Sequence, residues 1–174
     1  MKQLKIDFAI LTIGKASEGD ADKIISLLDN AAERVQSKGI DQWRPGSFDR
    51  EKLLARIRDG EVYVTIYEGS IVGTFRVQMH DKSVWGERDS NEDYAYIHHL
   101  AINPDFKGQQ LGLQLLHQAE TIAMSLGKKG IRLDCMLGNP SLENYYENTA
   151  GYMPVGISTP PGYTARLFEK RLAE

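Results

Sequence analysis

Asn103-Pro104-Asp105-Phe106-Lys107-Gly108-Gln109-Gln110-Leu111-Gly112-Leu113-Gln114-Leu115-Leu116 is the stretch from which the fold can be read. Upstream of it, Tyr96-Ile97-His98-His99-Leu100-Ala101-Ile102 is rich in β-branched and aromatic residues, with Tyr96, His98, Leu100 and Ile102 on one face of a strand. Asn103-Pro104-Asp105 supplies the turn chemistry that ends it. Downstream, Leu111, Leu113, Leu115, Leu116, Ala119 and Ile122 recur as on a helix packed against a sheet. A strand that feeds a glycine-containing turn into a helix N-terminus presents unpaired backbone N–H groups at a positive dipole end, which suits a pyrophosphate. Lys107 adds a cation, and Gly108 and Gly112 allow a close approach.

The rest of the chain limits the choices. Its 174 residues fit one domain with a two-sided core, and 41% hydrophobic with 26% charged residues is ordinary for a soluble globular protein. A net charge of −3 gives no support to a nucleic-acid or membrane-surface role. No apolar run approaches the roughly 20 residues of a membrane span. The opening residues alternate as a strand does and carry no cleavage site, so no signal peptide is expected. A lone cysteine, Cys135, forbids an intrachain disulfide and offers no metal cluster. The expected compartment is the cytoplasm.

Taken in order, the chain predicts a first strand over 4–10, continuing to 13, and a helix opened by Ser17 or Asp20 that buries Ile24, Ile25, Leu27, Leu28, Ala31, Ala32 and Val35. A loop carrying Trp43 leads to a shorter helix from Phe48 to Arg58. A hairpin of strands Val62–Tyr67 and Ile71–Met79 turns at Glu68-Gly69-Ser70, and a polar loop over 80–91 carries Trp85. After the glycine turn the helix runs to Ser125, a strand spans 131–136, and a short helix spans 141–148. Strands to Ile157 and over Tyr163–Leu172 close a β-α-α-β-β-β-α-β-α-β-β order. This is a mixed α/β (α+β-like) fold with a central mixed sheet flanked by helices.

Lys107-Gly108-Gln109-Gln110-Leu111-Gly112 is neither a Walker loop nor the dinucleotide fingerprint GxGxxG. It resembles the acetyl-CoA loop of the GNAT (GCN5-related) N-acetyltransferases, Arg/Gln-x-x-Gly-x-Gly/Ala, with Lys107 at the first position and Gln110 in place of the first glycine. A second motif agrees. In that family an Asn ends the following strand, a short helix bears a Tyr, and Gly-Phe/Tyr comes next. Here these are Asn139, Tyr146 and Gly151-Tyr152, with one extra residue that implies an irregular helix end. The element order resembles the GNAT fold over essentially all of residues 1–174 as a single domain.

The resemblance implies acetyl-CoA as cosubstrate, held through pantetheine by Leu100, Ala101 and Ile102 and through pyrophosphate by Lys107, Gly108, Gln109, Gln110, Leu111, Gly112 and Leu113. Asn139 and Tyr145 join the cofactor side, Asn139 bonding the pantetheine or only capping the next helix. An amide at Leu100 or Ala101 would polarise the thioester carbonyl. Tyr146 stands where the family places its general acid, and a packing role is the alternative. For the base the residues leave His98, His99, Glu92 or Asp93 through water, or water alone. Trp43 and Trp85 either border the acceptor or anchor their loops, Cys135 is buried and inert, and Asp134, which alternates away from Leu133 and Cys135, faces the cleft or, as the favoured reading, the sheet surface. The implied reaction moves acetyl to a primary amine of a small molecule or peptide, needs no metal, and is compatible with a homodimer through the last strand as an exposed edge. The alternative is a non-catalytic acyl-CoA-binding or sensing module.

Overall fold

A computed structural model describes residues 5–173. Seven strands, β1 (Thr12–Lys15), β2 (Val62–Tyr67), β3 (Ser70–Gln78), β4 (Tyr94–Ile102), β5 (Gly130–Met136), β6 (Met153–Ser158) and β7 (Ala165–Arg171), form one mixed sheet in the order β1-β2-β3-β4-β5-β7-β6. Helices α1 (Ala21–Ser37), α2 (Arg50–Arg58), α3 (Lys82–Trp85), α4 (Leu111–Ser125) and α5 (Pro140–Asn144) intervene. The mixed α/β class read from the sequence is the one adopted. The residues gather into two compact units: those up to Arg76 together with His99–Leu115, and Val77–His98 together with those from Leu116 on.

In the first unit the amphipathic pattern of α1 buries Ala21, Ile24, Leu27, Leu28 and Ala32. They pack with Leu54 and Ile57 of α2 and with Val62, Val64 and Ala101 of the sheet. The Asp20 carboxylate accepts from the Ser17 amide at 2.8 Å, fixing the entry to α1. Helix α2 starts two residues later than the expected Phe48, because the Asp49 carboxylate takes the Glu51 and Lys52 amides and sets the N-cap there. Phe48 then packs on the core as the residue before the cap. The expected first strand also moves. Phe8–Ile10 is a 3-10 turn and the strand is Thr12–Lys15, while Leu4 lies outside the described residues. Asp7 explains the turn: its carboxylate accepts from the Ala9 amide at 3.0 Å, and such a local bond competes with a sheet ladder. Glu68 (φ 48°) and Gly69 (φ 78°) make a two-residue hairpin turn with both residues left-handed.

In the second unit β4 and β5 run parallel but pair only over Tyr94–Tyr96 with Gly130–Arg132. From Leu133 on, β5 keeps β7 as its sole partner among the described residues. The last strand is not an edge. β7 lies between β5 and β6, and β6 is the outer strand. Met153 and Ile157 of β6 are exposed. The expected 80–91 loop folds into α3 and a 3-10 turn over Gly86–Ser90, with Trp85 buried. The extra residue before Gly151 is absorbed as a π turn over Tyr145–Thr149, in which the Ala150 amide donates to the Tyr145 carbonyl at 2.9 Å.

Arg132 organises the interior here. Its guanidinium lies 4.0 Å from the Tyr94 ring centre and 4.6 Å from that of Trp85. It donates to the Arg88 carbonyl at 2.8 Å and ion-pairs with Glu169 at 3.2 Å.

Candidate active site

In the first unit the Asn103 side chain accepts from the Asp105 amide, and a 3-10 turn over Pro104–Phe106 leads into 107–110. Gly108 (φ 77°) and Gln110 (φ 63°) are left-handed, and open space surrounds the position of a Cβ on Gly108. The Gln110 carbonyl accepts from the Gln114 amide at 3.0 Å, so α4 begins after Gln110. The amides of Leu111, Gly112 and Leu113 precede the first intrahelical donor, the Gln114 amide, and are the groups a helix start offers to an anion. Gln109 turns its side-chain oxygen the other way, onto the Ile6 amide at 2.7 Å. Lys107 is exposed, Gly112 and Leu113 are half-buried, and Leu111 is buried in the core.

The left-handed backbone at Gln110 gives the physical reason for a glycine in that place. A residue with a Cβ carries a local cost there of about 1–2 kcal/mol, against roughly 0.5–1 kcal/mol of extra chain entropy for glycine. Gln110→Gly is expected to raise unfolding free energy by about 0.5–1 kcal/mol. Urea melts check it.

Leu100 and Ile102 are half-buried and Ala101 is buried. His99 (φ 50°) is left-handed inside β4, a departure from extended geometry that bends the strand. Its ring meets Trp43 at 6.0 Å and Phe48 at 5.7 Å, edge to face. His99 and Trp43 thus serve an aromatic cluster, while Trp85 is buried as a loop anchor.

In the second unit His98 faces differently. Its Nε2 lies 3.1 Å from Asp81 Oδ2, and Asp134 joins them with ligating atoms all within 4.8 Å of one another. Tyr163 donates to Asp134 Oδ2 at 2.9 Å, and Ser83 donates to Asp81 Oδ1 at 3.0 Å. Asp134 is therefore no sheet-surface residue; it is half-buried in an acid–base cluster. Burial works against the charge on Asp81, but the His98 ring, the Ser83 hydroxyl and the Val84 amide hold its carboxyl below the usual range. Asp134 goes the other way: burial raises it, Asp81 adds to the rise, and His98 and Tyr163 only partly offset it.

These opposite shifts have opposite pH signatures. A depressed carboxyl stabilises the fold above its unfolded pKa and loses that contribution as pH falls through the folded value; a raised one costs stability as pH rises through its unfolded pKa. Asp81→Asn is expected to lose stability at neutral pH and progressively less as pH falls below the ordinary carboxylate range, whereas Asp134→Asn gains relative to wild type as pH climbs above about 4. Denaturant melts at stepped pH read both.

Tyr146 sits on the π turn among rings, 5.6 Å from Phe168 and 5.8 Å from Tyr145, and its hydroxyl makes no hydrogen bond to the described residues. Burial raises its pKa, helped by Cys135, Tyr145 and Asp134, so the phenol keeps its proton. Cys135 is buried and pushed up to about 12, as an inert thiol should be. Asn139 is buried and caps α5 by accepting from the Leu142 amide at 3.3 Å. Glu92 is exposed, and Asp93 is taken up by ion pairs with Lys129 and Arg171.

A family model, the acetyltransferase (GNAT) family, matches residues 26–152. The chain belongs to the GNAT acetyltransferase family. It is 31% identical over 159 residues to the uncharacterized N-acetyltransferase YesJ of Bacillus subtilis, covering 88% of this chain and 86% of that one. The crystal structure of a GNAT-family acetyltransferase from Listeria monocytogenes superposes with a TM-score of 0.78 at 25% identity, over 93% of this chain and 95% of that one. A Salmonella typhimurium protein solved with its cofactor acetyl-CoA shares the fold at a TM-score of 0.69 and 17% identity, over 94% and 95% of the two chains. Membership of this GNAT family makes the chain an acyl-CoA-dependent N-acetyltransferase in general terms. The left-handed turn before α4, with open space at Gly108 and the first-turn amides ahead of the Gln114 donor, has the chemistry that suits a pyrophosphate.

Sequence reasoning missed Asp81 and misplaced Asp134. His98 had a visible signal, a histidine on the central strand, but its partners come from a loop and another strand. Only the fold brings them within reach.

Proposed function

We propose that the chain, acting as one domain, transfers acetyl from acetyl-CoA to a primary amine, with Tyr146 as general acid and His98 as base. The turn over residues 107–112 supports this reading, because left-handed Gly108 and Gln110 lead straight into the start of α4, the kind of backbone whose N–H groups suit an anion. Leu100, Ala101 and Ile102 serve the pantetheine arm and its thioester carbonyl, and Tyr145 and Asn139 are assigned to the cofactor as well.

The acceptor's ammonium loses one proton to His98, whose Nε2 faces Asp81 and whose Nδ1 is the nitrogen left for a substrate. The amine attacks the thioester carbonyl, forming C–N. As C–S breaks, the thiolate takes the Tyr146 proton, and the second nitrogen proton restores the phenol. His98 returns its proton to solvent. A phenol with a raised pKa is a weak acid against a thiol of ordinary pKa, about 8.5. The surroundings change that balance, because burial that lifts Cys135 to about 12 would lift a desolvated CoA thiolate likewise.

The reaction belongs in the cytoplasm, where acetyl-CoA is available, and no described helix is long and apolar enough to cross a membrane. A homodimer formed by strand pairing would use β6, the outer strand, with its exposed Met153 and Ile157. Isothermal titration with acetyl-CoA, against ATP and NAD, tests the cosubstrate. Micromolar binding of acetyl-CoA alone supports the proposal, and absence of heat with no thermal shift removes it.

A further inference from the structure

The Asp81–His98–Asp134 cluster is out of charge balance. Two carboxyl groups meet one imidazole; with both ionised the group carries −2 beside a neutral ring and −1 beside a protonated one. Among the described residues no lysine or arginine pairs with either aspartate. Asp81 has only 7% of its side chain exposed, and its Oδ2 and the facing His98 Nε2 are buried without hydrogen-bond geometry to any partner. Uncompensated charge in such surroundings is costly, and a buried acceptor left unmade costs more than the bond would gain. Tyr163 occupies Oδ2 of Asp134 and leaves Oδ1 open.

We propose that Asp81, His98 and Asp134 form a receptor for an organic ammonium, and that the acceptor is a polycationic primary amine with no carboxylate near the reacting nitrogen. The inference rests on the N-acetyltransferase reading and names its substrate class. The ammonium bonds Asp134 Oδ1 and faces His98, while Asp81 behind the ring supplies the second negative charge. The cluster's ligating atoms lie within 4.8 Å of one another, and the His98 Nε2–Asp81 Oδ2 pair is already closed at 3.1 Å, so Asp134 Oδ1 is the acceptor left for the ammonium. The excess negative charge attracts a second cationic group on the same chain and repels a carboxylate there.

The test follows the His98 imidazole NMR signals, assigned with His98→Gln, during titration with 1,4-diaminobutane, butylamine and 4-aminobutyrate at equal ionic strength. The diamine should shift them at the lowest concentration, butylamine at a higher one, and 4-aminobutyrate least. Asp134→Asn, checked as folded by circular dichroism, should weaken the diamine roughly tenfold or more. No shift with any amine on the wild-type protein overturns the inference. So does equal response to 4-aminobutyrate, and so does a response to zinc with none to amines. Acetyl-CoA titrated into the same sample separates the two readings. Binding of acetyl-CoA with silent amines ends the receptor and leaves the transferase reading intact, while amine binding without acetyl-CoA binding ends the transferase reading instead.

Discussion

Tyr146→Phe is expected to lower turnover by about 10²–10⁴-fold while leaving acetyl-CoA affinity unchanged. The size follows from removing the proton donor to the departing thiolate without altering the ring. Tyr146 meets Tyr145, Tyr152 and Phe168 through its ring, and among the described residues its hydroxyl bonds nothing that the substitution would orphan. Stability should therefore be preserved, so lost activity cannot be charged to unfolding. Steady-state CoA release with an amine panel and isothermal titration of acetyl-CoA are the paired measurements. Undiminished turnover would make Tyr146 a packing residue, and unchanged binding without turnover even in the wild type would favour a non-catalytic acyl-CoA module.

Arg132→Met is expected to destabilise the protein by about 3–5 kcal/mol. The guanidinium is 6% exposed and meets Glu169, the Arg88 carbonyl and the Tyr96 hydroxyl oxygen between the Tyr94 and Trp85 rings. Methionine fills part of the volume but leaves the Arg88 carbonyl without its donor and Glu169 without its counterion. Glu169 keeps some solvent contact, which argues for the lower half of that range. Arg171→Met supplies the contrast. That side chain is 60% exposed, its pair with Asp93 spans 3.5 Å, and surface pairs contribute only about 0–1 kcal/mol. Urea melts should show a lowered midpoint at an unchanged m value for Arg132→Met and almost none for Arg171→Met. Equal losses would mean that burial does not set the value of these arginines.

The α/β class, the hairpin, α1, α4, β5 and the turn before α4 were legible in the sequence, because each rests on local chemistry. Apolar periodicity marked the helices, Glu68-Gly69 marked the hairpin, and Asn103-Pro104 marked the end of the central strand. The one-residue surplus before Gly151 even announced an irregular helix end, which the π turn over Tyr145–Thr149 supplies. Where local signals competed, the reading slipped. Asp49 outbid Phe48 as the start of α2, and Asp7 closed a turn where alternation suggested a strand.

What depends on partners far apart in sequence was not legible. Alternation cannot say which strand of a sheet lies outermost, so β7 was taken for the edge that β6 occupies. The left-handed backbone at His99 and Gln110 has no signature in those side chains, since neither is the glycine that would declare it. Asp81, His98, Asp134 and Tyr163 stand on a loop, two strands and a turn, and their meeting is a product of strand order and register. The sequence by itself determined the family and the place of a glycine-containing turn ahead of α4, because turn residues and helix periodicity are local signals, while the left-handed φ of Gln110 emerged only in the fold. The tertiary structure alone decided the acid–base cluster, because burial and charge imbalance exist only once distant side chains share one low-dielectric space.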